Sequence, residues 1–307
     1  MILNISGAAQ SYLANLDRTQ QQINQAQAEV SSGYRVQSPS DDPAAVPSIL
    51  ELQSEIGMNQ QIQNNLSSVT SELGSADSAL QSAVQAVNTA LTLATQGASS
   101  TSTASDRASL AEQVAGLQQT LVGISQTQAN GRYIFSGDQD TSPSYQLDSS
   151  QPNGVRQLIS PSSTRVIMDA SGTAISVAKT AQEIFDARNS DGSDATGNVF
   201  AAVNSLLTAL NNNDQAGAAQ AASDLQSAGT YLNQQLEFYG QAEDRVTAAS
   251  NLAQKFQTGQ TAQLSGLRDA DIPSVALQLT QSQLDEQAAL SAEANIAQQK
   301  NLFSYLG

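Results

Sequence analysis

At 307 residues, 39% apolar, 4% aromatic and without tryptophan, the chain has material for two modest cores and suits packed long helices better than one thick globule. Twelve Lys and Arg against 28 Asp and Glu leave a net charge of -16, which repels the phosphates of nucleic acid and of anionic lipid. The absence of Cys and His removes thiolate and imidazole ligands and the commonest nucleophiles and bases, and with them most zinc and triad chemistry. No cofactor is expected.

Residues 1–22 carry neither a basic segment nor the continuous apolar run of a secretory signal. No stretch approaches the roughly 18 apolar residues of a membrane span. By ordinary signals the chain reads as cytoplasmic, unless it leaves by a route that needs no cleavable signal.

Counting in sevens from the start gives Ile2, Ala9, Leu16, Ile23 and Val30, with Ile5, Tyr12, Thr19 and Ala26 three residues after each of the first four. That is a two-position heptad seam on a helix. It stops at Gly33, and Pro39-Ser40-Asp41-Asp42-Pro43 is expected to form a turn-rich loop, because proline removes a donor and restricts the residue before it. Asp41 and Asp42, adjacent acids just before a helix, read as caps and helix-dipole partners rather than as paired catalytic carboxylates. Arg35 is positioned to pair with them or to reach a neighbouring subunit. The next helix is expected to start at Pro47 or Ser48, where proline is tolerated in a first turn.

From Ile62 the series Leu66, Val69, Leu73, Ala76, Leu80, Ala83, Val87, Ala90 and Ala94 keeps the 4-3 alternation of a coiled coil. A polar linker over 97–105 precedes Leu110, Val114, Leu117, Leu121 and Ile124, so a third helix should return antiparallel to the second. At Gly131 the pattern changes. Arg132 to Phe135, Val155 to Ile159, Arg165 to Met168 and Ala174 to Val177 read as short strands between turn-forming clusters. Tyr133 and Phe135 share one strand face and should anchor the insert's core. The acids Asp138, Asp140, Asp191 and Asp194 follow no EF-hand pattern. Helices resume with Phe200, Val203, Leu206, Leu207 and Leu210, and again from Ala216 to about Gly266. A last seam places Val275, Ser282, Ala289, Ile296 and Phe303 seven apart, flanked by Ile272 and Leu279 and diluted by Glu286 and Glu293.

The fold class is therefore mainly α with a small β-rich insert, a long antiparallel helical bundle or coiled coil that pairs the N- and C-terminal segments. The segments expected are an N-terminal assembly helix and loop (1–45), a helical hairpin (46–130), a β-rich outer insert (131–198), returning helices (199–266) and a C-terminal assembly helix (267–307). The middle seams are assigned to the chain's own core because a short linker joins them. The terminal seams are assigned to contacts between subunits, since alanine at many core positions buries little area. The assembly set is Ile2, Ile5, Leu16, Ile23, Val30, Arg35, Asp41, Asp42, Ile272, Val275, Leu279, Ile296, Leu302 and Phe303.

Three segments resemble one family. Val30-Ser31-Ser32-Gly33-Tyr34-Arg35-Val36, followed by Ser38 to Ala45 with its Pro-Ser-Asp-Asp-Pro core, is similar to the amino-terminal stretch of the flagellin superfamily, in a form that resembles the hook-associated branch, and hook-associated protein 3 within it, more than filament flagellin. Asn130 to Gly137 resembles the motif leading into that family's β insert, and Asp269 to Ile272 through Leu302 to Leu306 its closing helix. The resemblance implies a non-enzymatic subunit of the bacterial flagellum. It would be exported unfolded through the type III channel without a cleavable signal, its C-terminal helix guarded by a chaperone. Outside the cell it would stack as a tubular ring between hook and filament, touching a neighbouring hook-associated protein and flagellin through its terminal helices, with the β insert facing outward. A filament or minor flagellin is the nearest alternative reading; a secreted coiled-coil effector or adhesin is another, and an insert of about fifty residues is small for a catalytic domain.

Overall fold

The computed structural model describes the backbone of residues 7–298 and the side chains of residues 10–294. Among these, α1 spans Gly7–Ser32, α2 Val46–Gly97, α3 Ala104–Ser125, α4 Ala181–Phe185, α5 Val199–Asn211, α6 Gln215–Arg268 and α7 Ile272–Gln298. Three antiparallel hairpins lie between α3 and α4: β1 (Gln128–Ala129) with β2 (Arg132–Tyr133), β3 (Tyr145–Leu147) with β4 (Val155–Gln157), and β5 (Val166–Met168) with β6 (Ala174–Ser176). The chain divides into two compact units. One is Asn59–Phe256, and the other gathers the chain up to Met58 with the chain from Gln257 onward.

In the central unit the seam residues Leu66, Leu73, Leu80 and Val87 of α2 and Leu110, Val114 and Leu121 of α3 enter one core with Val203, Leu206 and Leu210 of α5 and Leu225, Leu232 and Val246 of α6. The 4-3 spacing puts these side chains on one stripe of each helix, and burying that stripe is what stabilises helices this long. α3 also packs along α5. Ends are satisfied locally. Thr103 and Asp106 form a reciprocal capping box at the start of α3, and Thr180 and Glu183 another at α4. The carbonyls at the end of α2 accept from a buried arginine: Arg107 Nε donates to Gly97 O at 2.8 Å and Nη2 to Ser99 O at 3.1 Å, while Nη1 donates to Asn213 Oδ1 at 2.7 Å. A guanidinium at this position also suits the negative end of the helix dipole.

The β-branched runs do form strands, but shorter ones than their composition suggests, each of two or three residues. The expected strand Arg132 to Phe135 stops at Tyr133, because Ile134 and Phe135 turn inward and are buried. β1 and β2 turn through Asn130 and Gly131, both at positive φ (52° and 76°), the left-handed pair that a two-residue hairpin demands. Isolated hairpins are marginal in water, and these three are held by an aromatic core contributed mostly from outside them. Phe135 meets Phe185 edge-on at 5.9 Å and Tyr239 at 6.2 Å, Phe185 stacks on Phe200 at 5.8 Å, and Tyr145 lies 5.2 Å from Phe200. Phe135 thus anchors the core as expected, although from the turn beyond the strand, whereas Tyr133 is only half-buried.

Beneath Tyr145 sits a fully buried carboxylate, Asp186. It accepts from Tyr145 Oη (2.9 Å), Asn153 Nδ2 (3.2 Å), Asn198 Nδ2 (2.8 Å) and both Nε and Nη2 of Arg188 (3.1 and 2.9 Å). Burial, and then the Asp186 charge, push the Tyr145 hydroxyl far above its ordinary titration range, so it remains a donor. Asn198 serves twice, since its Oδ1 also caps α5 by accepting from Ala201 N–H at 2.9 Å. One acid therefore ties the β3–β4 hairpin to the segment entering α5.

Candidate assembly site at the paired chain ends

The second unit brings together the two ends of the sequence. α1 packs along α7, and Ile23 and Ala26 on α1 and Val275 and Ser282 on α7 are buried. Tyr12, Leu16, Thr19, Leu279, Glu286 and Ala289 are half-buried on the same seams. The seam residues Ile23 and Val275, assigned from sequence to contacts between subunits, are thus covered inside the chain itself. A heptad stripe says that a helix needs a partner without saying whose helix it is. Val30 and Ile272 remain 38% and 39% exposed, because both lie where the pair ends and the chain turns away. Ile2, Ile5, Leu302 and Phe303 lie outside the described residues, and Ile296 has only its backbone described, within α7.

α7 is apolar on more than its buried stripe. Leu277 and Leu284, seven residues apart, are 73% and 55% exposed. Val275 and Ser282 are buried two residues before each, so at about 100° per residue the leucines stand on the far side of the helix. Leu290 and Leu13 are exposed as well.

Where α1 ends, a buckle joins the loop after it to the α6–α7 junction. Gly33 takes a φ of 77°, which ends the helix in the left-handed region that glycine enters without strain. Its carbonyl accepts from Ala270 N–H at 2.9 Å, Tyr34 bridges Asp269 in antiparallel fashion, and Arg268 O accepts from the N–H groups of Arg35 (2.8 Å) and Val36 (3.2 Å). The Arg268 guanidinium lies 4.1 Å over the Tyr34 ring. Arg35 divides its fork, Nη1 donating to Asp42 Oδ2 at 2.9 Å and Nη2 to the carbonyl of Leu267 at 2.7 Å. Asp41 does not pair with it. Its carboxylate accepts from the N–H groups of Gln37 (2.9 Å) and Ser38 (2.7 Å) and from Ser38 Oγ, while Asp42 Oδ1 accepts from Ala45 N–H at 3.2 Å.

These bonds hold both acids ionised below the usual carboxylate range, Asp41 through Ser38 and Gln37, Asp42 first through Arg35 and then through Ala45. Asp269 is lowered too, chiefly by the Ser265 hydroxyl and then by Arg268. Under the loop Val36, Ala45, Ile49, Leu52 and Leu264 form a small separate core, and α2 starts at Val46 with Pro47 in its first turn. Sequence reasoning found Arg35, Asp41 and Asp42 but missed Tyr34, Leu267 and Arg268. The available signal was the pairing of two breaks, one at Gly33 where the first seam ends and one at Asp269 just before the last seam begins.

Among the described residues no group of three or more acids is arranged to hold a metal ion. No helix among them is long and apolar enough to cross a membrane.

Residues 3–140 match the family model described as the bacterial flagellin N-terminal helical region. A search of curated proteins by sequence gives no match. Among solved structures, the chain is similar to one from Vibrio parahaemolyticus described as a flagellar hook-associated protein. That likeness has a TM-score of 0.64 at 20% identity and covers 75% of this chain and 100% of the other. Flagellar hook-associated protein 3 from Legionella pneumophila gives a TM-score of 0.60 at 15% identity, over 71% of this chain and 98% of that one. A structure titled the flagellar junction protein FlgL from Legionella pneumophila gives 0.55 at 15% identity, over 72% and 99%. The chain is therefore similar to the bacterial flagellin N-terminal helical region over residues 3–140 and shares its fold with solved flagellar hook-associated proteins.

Proposed function

We propose that this chain is a structural, non-enzymatic subunit of the bacterial flagellum that joins hook to filament. The observation that carries the reading is a fold shared over nearly the whole length of hook-associated and junction proteins, in a chain whose residues 3–140 match the flagellin N-terminal helical region. The chemistry agrees with it. The paired ends present a second apolar stripe at Leu277 and Leu284 beside the one they bury, which is the arrangement a helix needs to sit in a tube wall between its own partner and a neighbour's helices. Subunits would form a ring and meet further axial proteins at its two faces. A chain without Cys has no thiol to oxidise once outside the cell, and a C-terminal helix apolar on several sides is a segment for a chaperone to cover before export through a type III channel.

A second reading, a filament or minor flagellin, rests on the flagellin match itself. Electron microscopy of cells lacking the chain separates the two. The junction role predicts hooks without filaments and flagellin lost to the medium. Hooks that still carry normal filaments would discard it in favour of the minor flagellin.

A further inference from the structure

The chain holds two Asn-Gly pairs, Asn130-Gly131 and Asn153-Gly154, and in both the glycine sits at a positive φ, 76° and 74°. An asparagine followed by glycine is open to attack by the backbone, because a next residue without Cβ lets its nitrogen approach the side-chain carbonyl carbon. The sequence treats the two pairs alike. The fold separates them.

Asn153 is 5% exposed, and its Nδ2 donates to Asp186 Oδ1 at 3.2 Å. The nitrogen that would attack it is also engaged, since Gly154 N–H donates to Gln151 O at 3.0 Å. Gln118 and Asn204 crowd Gly154 closely enough to leave no room for a Cβ. Asn130 and Gly131, in contrast, are exposed at the tip of the β1–β2 hairpin. Among the described residues, neither the Asn130 amide nor the Gly131 N–H has a hydrogen-bond partner, and the space around Gly131 is open. With two residues in each strand, this hairpin has little to hold it shut.

We infer that Asn130 is a site of spontaneous deamidation in the folded chain. The Gly131 nitrogen gives its proton to hydroxide and bonds to Asn130 Cγ; the Cγ–Nδ2 bond breaks, ammonia leaves, and a five-membered succinimide closes. Water then opens either carbonyl and leaves an aspartyl or an isoaspartyl residue at position 130. Water is the only co-reactant. Each product adds a negative charge, and the isoaspartyl form also lengthens the backbone by one carbon inside a two-residue turn, whose narrow geometry does not accommodate it. The bonds that follow the turn are Tyr133 N–H to Asp140 O at 2.8 Å and Ile134 N–H to Thr127 O at 3.0 Å, and these are the ones an isoaspartyl residue loosens. The chemistry needs no partner, so it stands apart from the junction role.

The test ages the purified full-length protein at body temperature and mildly alkaline pH, then digests it with trypsin. Cleavage after Arg107, Arg132 and Arg156 places Asn130 and Asn153 in separate peptides, 108–132 and 133–156. In protein aged folded, the first should show the amide-to-acid mass change at least about tenfold faster than the second, because Asn153 reacts only from opened states. Aged in guanidinium chloride, the two should convert alike. Protein enriched in the isoaspartyl form by ion exchange should lose amide protection at Tyr133 and Ile134, while an Asn130→Gln chain aged beside it keeps that protection. Conversion at Asn130 no faster than at Asn153 in the folded chain would overturn the inference, as would an isoaspartyl protein with both amides still fully protected.

Discussion

At the scale of single residues, two clusters of hydrogen bonds set the two units. Asp186 is the more consequential. Replacing it with alanine leaves the Tyr145 hydroxyl, the Asn153 and Asn198 amides and Arg188 without their shared acceptor, at a cost of about 3 kcal/mol. The expected result of Asp186→Ala is a lower denaturation midpoint for the central unit, with amide protection in the β3–β4 hairpin lost first. In the buckle, Gly33→Ala should cost about 1 kcal/mol, because the added Cβ meets open space but must adopt a φ of 77°. Chemical denaturation of the end unit, followed at Tyr34, measures it.

Asp41, Asp42 and Asp269 all have folded pKa values below their unfolded value of about 3.9. Their contribution is therefore complete above that value and is lost as the pH falls through the lowered ones. With no His in the chain, the buckle should be indifferent between pH 5 and 8. Protection factors of the Gln37 and Ser38 amides should collapse only below pH 4, and a collapse near pH 6 would contradict this account.

At the scale of elements, the units differ in how their helices are held. The long stripe of α2 is buried almost residue for residue as its spacing requires, so Leu80→Ala should cost about 2–5 kcal/mol in the central unit. The α1–α7 seam is thinner, with alanine, serine and threonine at many contacts. Leu16→Asp combined with Ile23→Asp places charge on that seam, and the pairing of the chain ends should be lost while the central unit melts unchanged. Under the proposed flagellar role the same variant should fail to enter the flagellum in cells, and normal incorporation would show that assembly does not use this pair. The seams of both units were legible in sequence, as were the bounds of the long helices to within a few residues, because a 3.5-residue apolar period has few other solutions, whereas the short α4 fell unseen inside the expected β-rich insert. The hairpins were legible in place but not in extent. Ile134 and Phe135 have strand propensity, yet the aromatic core formed with Phe185, Phe200 and Tyr239 draws them out of the ladder.

For the whole molecule, charge is the governing quantity. Copies carrying -16 each repel one another, and the repulsion between exposed charges is screened beyond about 8 Å at physiological ionic strength. Self-association followed by sedimentation should therefore strengthen as salt rises from 10 to roughly 150 mM. A decline would mean that attraction between opposite charges, rather than apolar contact, dominates the subunit interface.

The sequence by itself determined the helical class, the seams, the loop between Gly33 and Pro47 and the exclusion of thiol and imidazole chemistry, since each follows from local spacing or from composition. Tertiary structure alone decided which stripes meet which. It covered Ile23 and Val275 within the chain, gave Asp42 and not Asp41 to Arg35, and brought Tyr34 beneath Arg268 across more than two hundred residues. The physical reason is that an apolar period or a capping acid specifies the kind of partner a residue needs, while the identity of that partner depends on where the remaining chain has been packed.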